Sequence, residues 1–392
     1  MKTRIEVPDD TLFGPDNLPY GVFAPEGQGF RVGVRIGEHV IDLAATLADP
    51  VFAEPNLNAF MAQGPRRWRE VRDRIRELID NEVSTAAVHL LSDVYTKLPV
   101  RVADYVDFYA SIDHATNLGK LFRPDSEPLL PNWRHLPVGY HGRAGTVVVS
   151  GTDIVRPHGQ RRTASGTPDF GPSQRLDIEA ELGFLVGVGS ELGTPIDIDQ
   201  FAEHVFGVAL VNDWSARDIQ AWEYQPLGPF LGKSFATSQS DWVTPLAALN
   251  AARMPLPEQA PEPMPYLHGS QPWGLDIDLA VHWNGETVSH PPYSRMYWSP
   301  AQMLAHLTSN GAATRTGDLY ASGTISGPAP DQRGSFIELS WGGAEPVMVN
   351  GLRRTFLEDG DEVVITASAP GPDARRIGLG EVRGRIRPAR WA

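Results

Sequence analysis

The residues best suited to chemistry form an alternating acidic run, Asp177-Ile178-Glu179-Ala180-Glu181-Leu182-Gly183-Phe184. In an extended strand, Asp177, Glu179 and Glu181 share one face and the apolar residues share the other. Neighbouring carboxylates on that face would lie about 6.6 Å apart at the Cα atoms. Carboxylates this close repel each other unless a cation compensates them. Taken alone, the run is more typical of a solvated strand face.

A second acid follows a buried strand. The run Phe206–Val211 is apolar and ends at Asn212-Asp213. A helix is predicted from Ser215, with Asp218 as its capping-box partner. One face of this helix would carry a cation, an amide and a phenol, at Arg217, Gln220 and Tyr224. Sites are often built where strands end and helices begin.

Three further segments supply charged or titratable groups. Asp107 and Tyr109 share a face if their segment is extended, and Ser111 is predicted to cap a helix whose first turn holds His114. The segment Ser335–Trp341 places Glu338 opposite the apolar residues of an extended stretch. A rigid apolar loop, Pro226–Gly232, presents Lys233, which is either a solvated charge or a placed cation.

Asp107, Glu179, Glu181 and Asp213 together form an all-oxygen set. The chain has no cysteine, which excludes disulfides, thiolate zinc sites, iron–sulfur clusters and cysteine nucleophiles. Hard cations, Mg²⁺ or Ca²⁺, therefore fit this set best. Spacing alone does not establish that the four acids converge.

Composition sets the broad class of the protein. Of 392 residues, 48 are acidic and 34 basic, which gives a net charge of −14. Hydrophobic residues make up 41% of the chain, which is enough for a full core and excludes global disorder. By length, the chain should hold two domains or one large β-rich domain. The acidic balance argues against nucleic acid as a partner.

The elements that would position these groups are mostly short strands. Alternation over Phe30–Ile36, a turn and Val40–Leu43 predict a hairpin in a small β-rich unit of about 100 residues. An amphipathic helix is predicted over Pro65–Ile79, and its arginines alternate with acids, so we favour a solvated helix face over a nucleic-acid patch. The start, Met1–Asp10, has no signal-peptide pattern, and no apolar run approaches the roughly 18 residues of a membrane span. These features predict a cytoplasmic protein.

Long literal blocks along nearly the whole chain carry a resemblance to a known family. The blocks are Asn17–Phe23, Asp107-Phe108-Tyr109, His114–Asn117, Leu130–Trp133, His135–Arg143, Asn212–Gln220, Gly232–Phe235, Ala321–Gly327 and Glu338–Trp341. With these blocks the chain resembles the fumarylacetoacetase (fumarylacetoacetate hydrolase) family. It is more similar to the long branch, which has an extra amino-terminal domain, than to the shorter acylpyruvate hydrolases.

The resemblance implies a mainly β fold. An amino-terminal SH3-like β-barrel (residues 1–100) would precede a carboxy-terminal fumarylacetoacetase-type β-roll (residues 101–392) with a few short helices. It implies a homodimer and metal-dependent hydrolysis of 4-fumarylacetoacetate to fumarate and acetoacetate. This reaction is the last step of tyrosine and phenylalanine catabolism through homogentisate.

The resemblance also implies roles for individual residues. The positions matching the Ca²⁺ or Mg²⁺ ligands are Asp107, Glu179, Glu181 and Asp213. A second Mg²⁺ position corresponds to Asp213, Lys233 and Thr237, with the lysine and the threonine contributing backbone oxygens. The general base corresponds to His114, oriented by Glu338, and the oxyanion donors correspond to Arg217, Gln220 and Lys233. Substrate contacts correspond to Tyr109, Arg123, Tyr140, Gln220, Tyr224 and Thr324. The segment Ala110–Asp113 departs from the family's usual serine, arginine and glutamine content, and it places an extra acid beside His114.

Other activities remain open at this point. Within the superfamily, the chain could hydrolyse a related acylpyruvate or diketo acid, decarboxylate one, or dehydrate a sugar acid. A non-catalytic metal-binding or interaction module is a different class. The joint presence of His114, Glu338 and Lys233 argues against such a module, because a scaffold needs none of them.

Overall fold

The architecture comes from a computed structural model that describes residues 2–3, 5, 7–81, 83–163 and 165–390. The described chain is mainly β with short helices, as the sequence analysis predicts. The first hundred residues form β1 (Lys2–Thr3), β2 (Tyr20–Pro25), β3 (Arg31–Ile36), β4 (His39–Asp42), α1 (Leu43–Leu47), α2 (Asn58–Met61), α3 (Gly64–Asp80), β5 (Val83–Ser84), β6 (Val88–Leu90) and β7 (Val94–Lys97).

The remaining residues form the larger part of the fold. Its elements are β8 (Tyr105–Phe108), α4 (Ile112–Phe122), β9 (Gly139–His141), β10 (Val147–Val149), β11 (Ile154–Val155), β12 (His158–Arg162), β13 (Pro168–Pro172), β14 (Leu176–Asp177), β15 (Ala180–Val186), α5 (Phe201–His204), β16 (Val205–Asp213), β17 (Ser215–Ala216), α6 (Arg217–Glu223), α7 (Leu231–Ser234), β18 (Thr237–Gln239), β19 (Trp242–Pro245), β20 (Arg253–Met254), β21 (Gly274–Leu275), β22 (Asp278–Trp283), β23 (Glu286–Ser289), α8 (Pro300–Thr308), β24 (Leu319–Ala321), α9 (Phe336–Leu339), β25 (Val347–Val349), β26 (Leu352–Arg354), β27 (Glu362–Pro370) and β28 (Arg376–Arg387).

Short 3₁₀ turns connect these elements. They span Pro50–Ala53, Thr85–Ala87, Leu91–Asp93, Ala144–Thr146, Ile198–Gln200, Leu246–Ala252, Pro265–Leu267, Tyr293–Arg295, Pro330–Gln332, Trp341–Gly343 and Pro372–Ala374.

The three most regular predicted elements are confirmed. β3 and β4 form the expected hairpin, with Ile36 opposite His39. α3 covers the predicted amphipathic helix and buries Val71 and Ile75 towards the core. All nine residues of β16 are buried, so a continuous apolar run here does indicate a core strand.

One large sheet brings distant acidic segments side by side. Its strand order is β6-β4-β3-β2-β19-β16-β15-β24-β8-β9, with β18 also pairing with β16. Asp107 on β8 lies opposite Ala321 on β24 and Tyr140 on β9. Asp213, at the end of β16, lies opposite Thr237 on β18. The pairing register therefore fixes where these side chains leave the sheet.

A second sheet closes the core beneath the first. Its order is β11-β28-β27-β22-β23, and β27 alternates between buried and half-buried residues, as expected for a sheet with one covered face. The side chains of Trp214, Trp283 and Trp298 are fully buried between the elements. Trp283 stacks on Phe336 at a centroid distance of 4.1 Å, which holds α9 against this sheet.

The amino-terminal strands join the large sheet directly. β2 pairs with β19 through Gly21 opposite Trp242, and it also pairs with β3 and β7. Among the described residues these strands have the open order β6-β4-β3-β2-β7, and no pairing joins β6 to β7. The SH3-like barrel therefore stays a prediction.

Three local predictions are wrong. The segment around Glu338 is not extended but forms the short helix α9. The acidic run is not one continuous strand, because β14 ends at Asp177 and β15 begins at Ala180. α6 begins at Arg217 without a side-chain cap, and Asp218 instead accepts hydrogen bonds from Ser173 and Gln174. Asp177 and Asp218 have tertiary partners in Phe336, Ile337, Ser173 and Gln174, which local periodicity does not reveal.

Within the described ranges, no helix combines the length and the apolar character that a membrane span requires.

We expect Gly323→Ala to destabilise the fold more than Gly285→Ala. Both glycines have positive φ, +75° and +83°, so both substitutions carry the same backbone cost. A Cβ at Gly323 would lie 2.2 Å from the carbonyl oxygen of Phe108, whereas nothing lies within 4 Å at Gly285. Overpacking adds about 1–3 kcal/mol at Gly323, measured by chemical denaturation. Equal losses in the two variants would contradict a tight β8–β24 junction.

Candidate active site

Three of the predicted acids meet in one buried cluster. Asp107, Glu179 and Glu181 each offer a carboxylate oxygen, and these oxygens all lie within 4.8 Å of one another. The three residues are no more than 5% exposed, so the interpretation as a solvated strand face is wrong. Glu179 lies in the two-residue break between β14 and β15, whereas Glu181 is the second residue of β15.

Asp213 borders this cluster and is held by three donors. The Tyr140 hydroxyl donates to it over 2.9 Å, and the Thr237 hydroxyl donates over 2.6 Å. The Lys233 ammonium lies 3.0 Å from the same carboxylate. Lys233 and Thr237 thus lie beside Asp213 and contact it through side-chain atoms, and their role at a second metal position stays a prediction.

Two buried cationic side chains, Lys233 and Arg217, form ion pairs with the acidic cluster. Lys233 bonds Glu179 as well as Asp213. Arg217 donates to Asp177 over 2.7 Å and to Glu179 over 2.6 Å. Burial alone would raise the pKa of Glu179, but Lys233 and Arg217 outweigh burial and hold that pKa below its ordinary value. Burial opposes both cations, yet the surrounding carboxylates raise the pKa of Lys233 and of Arg217 above their ordinary values.

Negative charge still exceeds positive charge in this cluster. Among the described residues, its five buried carboxylates form ion pairs with two cations, Arg217 and Lys233. The carboxylates are Asp107, Asp177, Glu179, Glu181 and Asp213. Burial, followed by repulsion from neighbouring acids, raises the pKa of Asp107 and of Glu181 well above the ordinary range. The buried Asp107 Oδ1 and Glu181 Oε1 atoms have no hydrogen-bond partner in the part of the chain that the structure describes. Unpaired carboxylate oxygens with excess charge fit a hard divalent cation such as Mg²⁺ or Ca²⁺.

A histidine–glutamate pair lies next to the acidic cluster. The Nδ1 atom of His114 is 2.6 Å from Glu338 Oε2, and both side chains are buried. Ser111 caps α4 by accepting the backbone N–H of His114, which confirms the predicted cap. Burial would raise the pKa of Glu338, but His114 and neighbouring donors lower it, so the glutamate is ionised. An ionised glutamate accepts a hydrogen bond from Nδ1–H and leaves the Nε2 lone pair free as a base.

The predicted substrate contacts lie around this network, with one at its rim. Tyr109 packs edge-on against His114 at a centroid distance of 5.3 Å. Gln220 accepts a hydrogen bond from Arg217 over 3.2 Å. Arg123 Nε and Thr324 Oγ1 are buried without a partner, so both are available to a ligand. Tyr224 is 40% exposed and contacts Gln225.

Two cavities differ in size and in chemistry. A cavity of about 80 Å³ is bounded by Asp213, Lys233, Tyr140 and Phe230, and it opens onto the acidic cluster. A larger cavity of about 810 Å³ lies between β19 and the second sheet and contains none of the predicted site residues. Convergent charged groups identify a site better than volume does, so we place the candidate site at the smaller cavity.

Several residues that position this site were missed by the sequence analysis. Asn117, Ser326 and Ser335 all donate to Glu338, over 2.9, 3.0 and 2.7 Å. Tyr105 lies beside Thr237 at the smaller cavity, and its buried hydroxyl has no hydrogen-bond partner. Sequence spacing could have revealed two of these residues. Tyr105 precedes Asp107 by two residues on a strand, and Asn117 follows His114 by three residues on a helix, so each shares a face with a predicted site residue.

Two family sequence models match almost the whole chain. The family described as "Fumarylacetoacetase N-terminal" matches residues 16–99. The family described as "Fumarylacetoacetate (FAA) hydrolase C-terminal" matches residues 104–387. A curated fumarylacetoacetase of Homo sapiens is 46% identical over 413 aligned residues, which cover 98% of each chain. The curated fumarylacetoacetase of Arabidopsis thaliana is 43% identical over 417 residues and 99% of each chain.

Solved structures with a similar fold have lower sequence identity. A fumarylacetoacetate hydrolase from Exiguobacterium antarcticum has a TM-score of 0.59 and 20% identity, over 95% of this chain and 100% of that one. A maleylpyruvate hydrolase from Sphingobium sp. SYK-6, in complex with manganese(II) and pyruvate, has a TM-score of 0.55 and 16% identity, over 95% of this chain and 100% of that one. At these identities the similarity establishes the fold.

We expect Asp107→Asn to weaken binding of Mg²⁺ or Ca²⁺ by more than about 100-fold. Substitution of residues that only hydrogen-bond a metal ligand already lowers metal affinity by about 10–100-fold. Burial and neighbouring acids raise the pKa of both Asp107 and Glu181, so protons compete with the metal and wild-type affinity should fall as the pH is lowered. Calorimetric titration of chelator-treated protein measures both effects. Asp361→Asn removes a buried acid elsewhere and should leave metal binding unchanged. Unaltered binding by Asp107→Asn would contradict this site.

Proposed function

The chain belongs to the fumarylacetoacetase family, and from this premise we propose that its buried site hydrolyses the carbon–carbon bond of 4-fumarylacetoacetate to give fumarate and acetoacetate. It is then a hydrolase acting on carbon–carbon bonds in ketonic substances, at the last step of tyrosine and phenylalanine catabolism. One observation carries the proposal from the structural side. A buried histidine–glutamate pair and a buried, negatively charged carboxylate cluster occur together in one site.

Hydrolysis of a carbon–carbon bond first needs an activated water molecule. His114 is a suitable base, because its Nδ1 proton is held by Glu338 and Nε2 can take a proton from water. Glu338 keeps the imidazole in one tautomer and stabilises the imidazolium that forms, as the acid does in a serine-protease triad.

The tetrahedral oxyanion then needs donors. We assign this role to Arg217, Gln220 and Lys233, which lie together on α6 and α7. Arg217 retains a buried Nη2 group with no protein partner, so at least one donor is free for the substrate. A well-placed donor of this kind contributes about 3 kcal/mol to transition-state stability.

The carboxylates would hold the metal ion. Asp107, Glu179, Glu181 and Asp213 are the proposed ligands for Mg²⁺ or Ca²⁺, and Lys233 and Thr237 would add oxygens at a second Mg²⁺ position beside Asp213. When bound, the cation supplies Lewis-acid stabilisation of negative charge on the diketone oxygens. The buried, partnerless oxygens of Asp107 and Glu181 support this assignment.

Substrate recognition falls to the polar groups around the cluster. Arg123 could form a forked pair with a substrate carboxylate, which suits a guanidinium better than an amine. The unpartnered Arg123 Nε and Thr324 Oγ1 atoms support this role. The remaining substrate contacts in the proposal are Tyr109, Tyr140, Gln220 and Tyr224.

The proposal extends to organisation and location. We propose an SH3-like amino-terminal domain over residues 1–100, a catalytic β-roll over residues 101–392, a homodimer and a cytoplasmic location. The two family matches, which end at residue 99 and begin at residue 104, support the boundary.

One assay tests the proposed activity. The purified protein is incubated with 4-fumarylacetoacetate and Mg²⁺ or Ca²⁺, and fumarate and acetoacetate are quantified by chromatography. An acylpyruvate is tested in parallel at equal concentration. Equimolar release of fumarate and acetoacetate is the expected result. A preference for the acylpyruvate would favour the alternative diketo-acid hydrolase.

We expect His114→Ala to lower the turnover rate by about 10²–10⁴-fold, because the substitution removes the general base. Metal affinity should stay at the wild-type value, since His114 lies outside the carboxylate cluster. His306→Ala is the matched control, because the His306 side chain lies on α8 and hydrogen-bonds Tyr266, which is not one of the proposed site residues. A wild-type rate in His114→Ala would rule out this base.

We also expect chelation with EDTA to stop turnover and Mg²⁺ or Ca²⁺ to restore it. The cation offsets charge that Lys233 and Arg217 leave uncompensated. Steady-state rates before chelation, after dialysis and after metal addition measure the effect. Full activity after rigorous chelation would refute a catalytic metal.

A further inference from the structure

Asp177 touches two parts of the site that lie on different elements. It ends β14, is fully buried, and stands two residues before Glu179. Its Oδ2 atom accepts the Nε–H of Arg217 over 2.7 Å and the backbone N–H of Ile337 over 3.1 Å. Its Oδ1 atom accepts the backbone N–H groups of Ile178 and Phe336, both over 2.7 Å.

These contacts join the two functional halves of the site. Arg217 is the proposed oxyanion donor at the start of α6. Phe336 and Ile337 are the first two residues of α9, and Glu338, the partner of His114, is the third. One carboxylate oxygen is therefore shared between the arginine and the helix that carries the glutamate.

The path through Asp177 is short and rigid. Asp177 pairs with Ser215 in the β14–β17 ladder, two residues before Arg217, so the backbone fixes its distance from α6. On the far side, Phe336 is clamped by its stack on Trp283. Little freedom remains for either half to shift without moving this carboxylate.

We infer that Asp177 is a positioning residue that couples the oxyanion arginine to the histidine–glutamate pair. Among the described residues, the Asp177 carboxylate bonds only Arg217 and the backbone N–H groups of residues 178, 336 and 337, so it acts on His114 and Glu338 through its neighbours. The inference rests on the proposed function for its effect on turnover, but the coupling itself is a property of the fold.

Asparagine at this position tests the coupling. Each oxygen of the Asp177 carboxylate accepts two N–H groups, whereas an amide has one acceptor oxygen and one donor nitrogen. In either orientation the NH₂ group of asparagine would therefore face two N–H donors that it cannot accept. Each orientation detaches an amide of α9, and one of them also detaches Arg217. Asp361→Asn is the matched control, because Asp361 is also buried and accepts from an arginine, Arg354, and from a backbone N–H.

We expect Asp177→Asn to lower kcat by about 100-fold with KM within about twofold of wild type, since it misplaces groups that act in the transition state. Asp361→Asn should lower the melting temperature but keep kcat within about twofold. In double-mutant cycles, Asp177→Asn should be non-additive with both Arg217→Met and Glu338→Gln, by about tenfold or more in kcat. Strict additivity with either partner, or a kcat loss no larger than in Asp361→Asn, would overturn the inference.

Two further measurements keep the outcome unambiguous. If Asp177→Asn does not fold, Asp177→Glu retains the charge but displaces it by one methylene, and the same kcat loss is expected. Hydrogen exchange at residues 336–337 needs no substrate. It should accelerate in Arg217→Met and stay unchanged in Arg354→Met. Unchanged exchange in Arg217→Met would refute the coupling, whereas an inactive wild-type enzyme with accelerated exchange would refute only the proposed function.

Discussion

Burial of ionised groups is the constraint on which the rest of this structure depends. Removing a carboxylate or an ammonium group from water costs several kcal/mol, even after the protein relaxes. Five carboxylates lie together beneath the surface, and Lys233 and Arg217 each serve two of them. The ion pairs and hydrogen bonds around the cluster offset part of this desolvation cost. The negative charge that remains uncompensated favours binding of a divalent cation.

The loop that delivers Lys233 illustrates how the backbone meets this constraint. Glu223, at the end of α6, accepts the backbone N–H groups of Phe230 and Gly232 and so closes the loop between α6 and α7. Gly232 sits so close to α6 that a Cβ would lie 2.8 Å from the backbone nitrogen of Gln220. Lys233 therefore enters the cluster from a fixed direction, and its side chain is 5% exposed.

Strong local signals in the sequence were sufficient for much of the fold. Alternation and helical spacing located the β3–β4 hairpin, α3 and β16, because in each of these the apolar pattern and the buried face coincide. Glu338 was misplaced on a strand, because the four-residue helix that carries it is held by Asp177 and by the stack on Trp283. These partners are remote in sequence, so no local window contains them.

The residues of the candidate site also fall into those that the sequence predicted and those that it did not. Alternation and strand ends pointed to the acids, and the family resemblance supplied roles for His114 and Glu338. The structure brings these residues together. The supporting donors Ser326 and Ser335 were missed, because serine is common in turns and caps and carries no distinctive spacing. Asn117 was missed although it follows His114 by three residues on a helix. Convergence of side chains is a tertiary property, and strand register decides it.

The pairing of β2 with β19 has a consequence for the large sheet. β19 is covered on one side by β16 and on the other by β2, and Gly21 lacks a side chain where the ring of Trp242 packs. Without the first hundred residues, this strand would present unpaired amides and a bare indole to solvent, which is a template for aggregation. The amino-terminal segment thus acts as an edge cap, so that solubility of the larger sheet depends on a part of the chain that supplies none of the proposed catalytic groups.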